Sequence, residues 1–474
     1  MLNNKCDMEG FENFIAQVDD ILWTYVLIAV LLACALLFTF RLRFVQFRML
    51  REMVRLLVRP ERKAGNGAEE RHISSFQAFV ISLASRIGTG NLAGVATAIN
   101  IGGPGAVFWM WVIALFGSSL AFVESTLAQL YKRRLNDAFI GGPAYYMKYG
   151  LRRGWLGIIF AVLMILTFGL SYSSIQSNTI CEAWEKAFGI DHVWMGVALT
   201  VLSLIIAFGG IHRVARVSSA IVPFMAIVYL LFAVGILAFN FIHIPQVVAT
   251  IVSHAFGFHQ AAGGAIGAAV MQGVKRGLFS NEAGEGSTPH AAATATVSHP
   301  VKQGLVQALG VFTDTLLICS CTAFIILLSG ADYTAAGGIQ LTQDAISSQI
   351  GGWGSPLIAV LIWMFAFSSI IGNAYYGEAN IRYITGHPAA LFAYRVCMGG
   401  VVMLGALLTL DTVWAIGDVT MALLTFCNII AIVPLSGQAV RLLRDYRKQK
   451  AEGRDPQFHR SQMPDIADRL DAWE

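Results

Sequence analysis

The sequence predicts an all-α integral membrane protein of eleven transmembrane helices, one N-terminal helix followed by two five-helix repeats of opposite orientation. Three observations predict it. The 474 residues are 56% hydrophobic and only 13% charged, with a mean hydropathy of +0.62, whereas soluble proteins carry about 25% charged residues. Apolar runs close to or above the ~20 residues that cross a bilayer recur along the whole chain. The Lys and Arg residues alternate between dense and sparse connections, so successive runs cross in opposite senses.

The spans fall at about 21–40, 73–100, 105–131, 155–181, 194–210, 215–240, 261–293, 303–329, 355–380, 391–410 and 414–440. Four segments follow: 1–72, an outer N-terminal segment with the first span and a basic cytoplasmic loop; 73–240, the first repeat; 261–440, the second; and 441–474, a charged, partly helical cytoplasmic tail. Connections are short and punctuated by Gly and Pro, as in Gly102-Gly103-Pro104-Gly105 and Gly141-Gly142-Pro143. Residues 1–20 carry Asp7, Glu9, Glu12, Asp19 and Asp20 against Lys5 alone. A secretory signal needs a positive region beside its apolar core, so the start does not read as one. Residues 11–18 read instead as a short amphipathic helix on the outer surface.

Of the 33 Lys and Arg, 28 lie on one side of these crossings, Lys5 and Lys186 on the other, and Arg86, Lys275 and Arg276 inside spans. The positive side is cytoplasmic, which places the N-terminus outside and the C-terminus in the cytoplasm of a multi-pass cell-membrane protein. The net charge of +4 sits in loops between spans, so it does not imply a nucleic-acid partner. Of seven Cys (6, 34, 181, 319, 321, 397 and 427), only Cys6 and Cys181 could reach the outer face, so no disulfide framework follows. Cys319 and Cys321 are two apart on a helix and point to different faces.

Two spans are interrupted. The first holds Ser85-Arg86-Ile87-Gly88-Thr89-Gly90-Asn91, and the second holds Gly277-Leu278-Phe279-Ser280-Asn281-Glu282-Ala283-Gly284-Glu285-Gly286-Ser287. Irregular backbone and charge at mid-membrane depth are tolerated where they line a protein cavity. A matched pair of breaks, one per half and entered from opposite sides, is the pattern of an inverted repeat with a midplane binding site. Half-helix N-termini present N–H donors that suit a carboxylate, and half-helix C-termini present carbonyls that suit a hard cation or an ammonium group. The competing reading of Gly88, Gly90 and Gly94 is a close-packing helix face. Their spacing is not that of a dinucleotide loop, and no βαβ unit surrounds them.

Other polar groups at this depth are candidates for the same site. Arg86 could pair with Glu282 or Glu285 as part of a gate; alternatively these charges, with Asn91 and Asn281, tie helix ends together. Gln176, in the fourth span, is an amide for a carboxylate or an amine, or helix–helix glue. Ser368 and Ser369, in the ninth span, could complete a Na⁺ shell with the carbonyls of Ala84 and Ile87. Trp363 could close an apolar wall around a small side chain, or face lipid.

The run Gly88-Thr89-Gly90-Asn91-Leu92-Ala93-Gly94-Val95-Ala96-Thr97-Ala98-Ile99, followed by Gly102-Gly103-Pro104-Gly105-Ala106, resembles the signature of the alanine/glycine:cation symporter (sodium:alanine symporter) family. Residues 277–284 are similarly characteristic, and the resemblance covers essentially the whole chain. It implies a LeuT-type fold with an extra first helix, and Na⁺-driven, sometimes H⁺-driven, uptake of alanine, glycine or a related small amino acid. On that likeness Thr89, Gly90, Gln176, Gly277, Phe279, Ser280 and Trp363 meet the substrate, and Ala84, Ile87, Ser368 and Ser369 hold Na⁺. No cofactor is implied beyond the coupling ion.

Three alternatives remain open at this stage. A cation-independent exchanger of the same fold can carry a basic side chain where Na⁺ would sit; here the span at 215–240 has no Lys or Arg beyond Arg216. H⁺ could replace Na⁺, and a larger amide such as glutamine could replace alanine. An enzyme or a channel is disfavoured: all ten His fall in loops or near span ends, no metal-ligand spacing appears, and no pore loop repeats about an axis.

Overall fold

The computed structural model describes residues 10, 14–15, 17–58, 73–135, 138–257 and 263–473. Cys6, half of the predicted surface helix at 11–18 and residues 59–72 of the basic loop lie outside the described residues. Among the described residues the fold is helical apart from connections, a short antiparallel hairpin pairing Arg133–Leu135 with Ala138–Ile140 and one isolated bridge between Ile73 and Ala295.

Helix α1 runs over Gln17–Arg41, and the short amphipathic α2 over Leu50–Val58. The first broken element is α3 (Ser75–Arg86) followed by α4 (Gly90–Gly102), bent by 54° between them. A capping box starts α3: Ser74 Oγ accepts from Gln77 N at 3.1 Å, and Gln77 Oε1 accepts from Ser74 N at 2.9 Å. Then come α5 (Gly105–Leu130), α6 (Gly154–Phe188), α7 (His192–Ala207), α8 (Gly210–Phe239) and a connecting α9 (Phe241–Ala255). The second broken element is α10 (Gly263–Asn281) followed by α11 (Thr288–Thr294). The chain finishes with α12 (Pro300–Leu328), a connecting α13 (Gly338–Ile350), α14 (Gly354–Ile384), α15 (Pro388–Leu407) and α16 (Leu410–Ala451). Eight of these helices are long and apolar enough to cross a membrane, and the bent pair α3–α4 makes a ninth.

The hydrophobic pattern is that of a protein solvated by lipid. Large apolar side chains are presented outward, including Phe239 (93% exposed), Trp194 (73%) and Leu231 (69%). The polar and charged residues of both breaks are buried inward instead, from Arg86 to Asn91 and from Ser280 to Thr288. An outward apolar face with inward polar groups is the arrangement that hydrocarbon requires. Close helix approach is made by glycine: a Cβ at Gly277 would stand 2.5 Å from Ile113 Cγ2 on α5. Helix α16 runs past its predicted end, and the tail folds back beneath the bundle. There Phe458 N donates to Ser298 O at 2.9 Å, Trp473 Nε1 donates to Gln129 O at 3.1 Å, and Lys302 Nζ pairs with Asp455 at 3.1 Å.

Candidate functional site: two broken helices that cross

Helix α3 ends where Ile87 turns out of helical geometry (φ −78°, ψ 88°). The backbone donors released there are taken by side chains. Asn91 Oδ1 accepts from Gly88 N at 3.0 Å, and Gln176 Oε1 accepts from Thr89 N at 2.9 Å and from Thr89 Oγ1 at 2.6 Å. Gln176 comes from α6, so a side chain 87 residues away caps the start of α4.

The carbonyls released at the end of α3 face α14. Ser369 Oγ lies 3.1 Å from Ala84 O, 3.0 Å from Ser85 O and 3.5 Å from Ile87 O. Ser368 Oγ lies 3.3 Å from Ala84 O, and both hydroxyls donate to Phe365 O, at 2.8 and 3.2 Å. The four residues Ala84, Ile87, Ser368 and Ser369 are fully buried. Neutral hydroxyl and carbonyl oxygens gathered in this way are the ligand type that a hard cation takes.

The second break begins after Asn281, because Glu282 (φ 55°), Gly284 (φ 96°) and Gly286 (φ 83°) are all left-handed. Glu282 is the uncommon case, a non-glycine residue with positive φ. Its side chain is held on both oxygens, by Ser85 Oγ at 2.6 Å and by Ser287 Oγ. Asn281 Oδ1 accepts from Ala283 N at 3.0 Å, and Asn281 Nδ2 donates to Thr315 Oγ1 at 3.3 Å. Glu124 on α5 accepts from Gly284 N at 3.3 Å and from Asn428 Nδ2 at 2.9 Å, which fixes the loop to α16.

The two breaks touch at Gly90. A Cβ there would stand 3.0 Å from Ser280 Cα and 3.1 Å from Phe279 Cδ1. Asp314 on α12 joins both: it accepts from Asn91 Nδ2 at 2.7 Å, from Ser280 Oγ at 2.6 Å and from Thr315 Oγ1 at 2.9 Å. Phe279 packs between Tyr172 (4.6 Å between ring centroids) and Trp414 (4.7 Å). Above it Arg276 is bidentate to Asp418, at 3.1 and 2.6 Å, and Lys275 bridges Asp418 (3.5 Å) and Asp19 (2.5 Å).

Thr89, Gly90, Asn91, Gln176, Phe279 and Ser280 are thus brought together, as are the four oxygen-bearing residues beside them. Three expected contacts take another form. Gly277 is turned against Met110 and Ile113 of α5. Trp363 is half-buried and stacks on Phe367 at 5.0 Å, while Trp414 takes the place against Phe279. Arg86 makes no ion pair with Glu282 or Glu285 among the described residues. It donates to Thr288 Oγ1 at 2.6 Å and to Gln307 O at 3.2 Å, its reach spent across the break on α11 and α12. Asp314 and Asp418 are participants that the sequence reading missed. Each is an acid inside an apolar run, and that signal alone marks a functional candidate.

The model of the sodium:alanine symporter family matches residues 8–460. The chain is 49% identical over 450 residues to a probable sodium/glutamine symporter of Bacillus subtilis, covering 95% of this chain and 93% of that protein. It is 48% identical to an amino-acid carrier protein of the same organism, with 98% and 99% covered. It is 35% identical to a sodium/alanine symporter of Methanococcus maripaludis, with 93% and 99% covered. Among solved structures it resembles MhsT in complex with L-phenylalanine, with a TM-score of 0.53 at 12% identity over 85% of this chain and 93% of that one, a likeness of fold. The chain is a transporter rather than an enzyme, and it belongs to the sodium:alanine symporter family.

Proposed function

We propose that this protein is a Na⁺-coupled symporter that brings a small neutral amino acid, alanine or glycine, into the cell by alternating access. The observation that carries the reading is the meeting of the two breaks at Gly90 and Ser280, directly beside the Ala84–Ile87–Ser368–Ser369 oxygens. In this reading the substrate carboxylate takes the N–H groups of Thr89, which Gln176 now caps, and of Gly90, and the ammonium group meets the carbonyl end of α10. Phe279, Ser280, Trp414 and, from further out, Trp363 bound the side chain. Na⁺ takes the oxygens of Ala84, Ile87, Ser368 and Ser369 and ties α3 to α14. Arg86, Asn91, Asn281 and Glu282 hold the breaks in register.

The architecture in this reading is eleven spans, α1 followed by two inverted repeats. The first repeat is α3–α4, α5, α6, α7 and α8; the second is α10–α11, α12, α14, α15 and α16. Each begins with a broken helix, which supports the pairing. The N-terminus is outside and the tail cytoplasmic. Na⁺ shifts the equilibrium between outward and inward states by its different affinity for the two. With a neutral zwitterion each cycle moves one charge, driven by about 2.3 kcal/mol per 100 mV.

A second reading, with glutamine as cargo, is favoured by the relative described as a probable sodium/glutamine symporter. A proton as coupling ion is favoured by a relative named a sodium/proton-dependent alanine carrier protein, from Bacillus sp. PS3, at 38% identity. A screen of L- and D-amino acids in proteoliposomes, with Na⁺ exchanged for choline at fixed pH, separates them. Uptake of alanine or glycine that collapses in choline supports the first reading. Uptake indifferent to Na⁺ overturns it, and a preference for glutamine favours the second.

A further inference from the structure

One buried carboxyl group has no part in the reading above. Glu285 lies between Gly284 and Gly286 in the second break and is fully buried. Its Oε2 accepts from the Tyr172 hydroxyl at 3.1 Å. Its Oε1 has no hydrogen-bond partner among the described residues. No Lys, Arg or His among them stands within 4.0 Å of it as an ion-pair partner.

Its charged and titratable neighbours come from four elements. Glu282, in the same loop, is held by Ser85 and Ser287. Glu124, from α5, is held by Gly284 N and Asn428. Tyr172, from α6, is the donor just named. Arg86, from α3, directs its guanidinium to Thr288 and Gln307. Three acids therefore share one loop with one guanidinium, and that guanidinium is bonded elsewhere. Two of the acids have both oxygens satisfied; the third does not. Leaving a charged carboxylate oxygen dry and bare is far costlier than leaving a neutral one so, and like charges nearby add to that cost. The same group is linked to the crossing of the breaks, because the Tyr172 ring packs edge-on against Phe279.

We propose that Glu285 is a proton-binding site coupled to the transport cycle. It carries a proton while the breaks are packed together. When the loop opens to water, the Glu285 O–H bond breaks, the proton passes to water, and the carboxylate left behind is solvated. Substrate that favours the packed state therefore favours proton uptake, and protons favour substrate binding by the same factor. For one proton this linkage is at most about tenfold in affinity per pH unit.

The coupling rests on the transport reading; the protonation does not, so two measurements are paired. Infrared difference spectra of the purified protein, recorded across a pH titration, report the carboxylic C=O band directly. The band of a buried acid is expected in the parent and lost in Glu285→Gln, which keeps the shape and cannot ionise. In proteoliposomes under a Na⁺ gradient, the parent KM for the amino acid should fall with falling pH, and the KM of Glu285→Gln should be flat. Tyr172→Phe removes the donor that stabilises the carboxylate, so it should move the transition to higher pH; it keeps the test open should Glu285→Gln not fold. An identical carboxyl band in Glu285→Gln, or pH profiles that neither variant alters, overturns the proposal. A parent that takes up no amino acid overturns the transport reading instead, while the infrared result stands by itself.

Discussion

Replacing Ser369 with alanine tests the proposed ion site where its geometry is most specific. The hydroxyl oxygen lies within 3.5 Å of the carbonyls of Ala84, Ser85 and Ile87, on the far side of the first break. Ser369→Ala removes one oxygen from that cluster and leaves the carbonyls of α3 facing a methyl group. A hydrogen-bond-type contact to a charged group contributes about 1.5–3 kcal/mol, and about 1.4 kcal/mol is tenfold in affinity. The Na⁺ concentration for half-maximal uptake should therefore rise by roughly ten- to a hundredfold, with maximal uptake recovered at high Na⁺. The assay is initial amino-acid uptake into proteoliposomes at varied Na⁺ and constant ionic strength. A second readout needs no transport: bound Na⁺ should raise the melting temperature of the parent by mass action, and that rise should shrink in the variant. A half-saturating Na⁺ concentration within twofold of the parent, with an unchanged Na⁺-dependent melting shift, would refute the assignment.

Three further outcomes follow from other contacts. In Gly88→Ala the new methyl group would overlap Ser369 Oγ and stand 3.0 Å from Gln176 Oε1, so the first break cannot keep its packing, and Na⁺-dependent uptake should fall to background while the protein still reaches the membrane. Asp418→Asn leaves Arg276 and Lys275 buried without their shared partner; one-sided removal of a buried pair costs about 3–5 kcal/mol, read as a lower melting temperature that Lys275→Met in the same chain partly restores. Beside the tail, burial holds the His299 imidazole below its ordinary value of 6.5, against the opposing hydrogen bond to Asp445. Because Nδ1 accepts from Val301 N at 3.2 Å, the proton must enter where an acceptor is needed. Below pH 6.5 the unfolded chain binds more protons, so stability falls as pH falls. His299→Asn keeps a capping acceptor and does not titrate; protease cleavage of the tail at pH 5.5 relative to pH 7.5 should rise in the parent and stay level in the variant.

Much of this fold is legible in the sequence because lipid imposes simple demands. Length and hydropathy find most of the long helices, and mid-run glycine and charge find the first break to within a residue or two and the second less closely, because Gly277–Asn281 are still the end of α10. Ser368 and Ser369 were legible for the same reason: adjacent hydroxyls in an apolar run need partners. What was not legible depends on contacts between distant residues. Arg86 and Glu282 look like partners in a linear reading, yet Glu282 is satisfied by two serines and Arg86 donates to groups on α11 and α12. Trp363 and Trp414 are equally plausible walls until helix rotation is known, and rotation is set by packing, not by periodicity, in spans that are apolar all round. The return of the tail, with Trp473 on Gln129 and Phe458 on Ser298, has no local signal, because its charged composition reads as solvated.

In the proposed function the two breaks hold cargo and driving ion together. The most direct measurement is the flux of radiolabelled Na⁺ into proteoliposomes on addition of alanine or glycine, at zero membrane potential. Na⁺ influx is expected in fixed ratio to amino-acid influx, with both lost together in Gly88→Ala. Amino-acid influx that proceeds with no accompanying Na⁺ movement would contradict it.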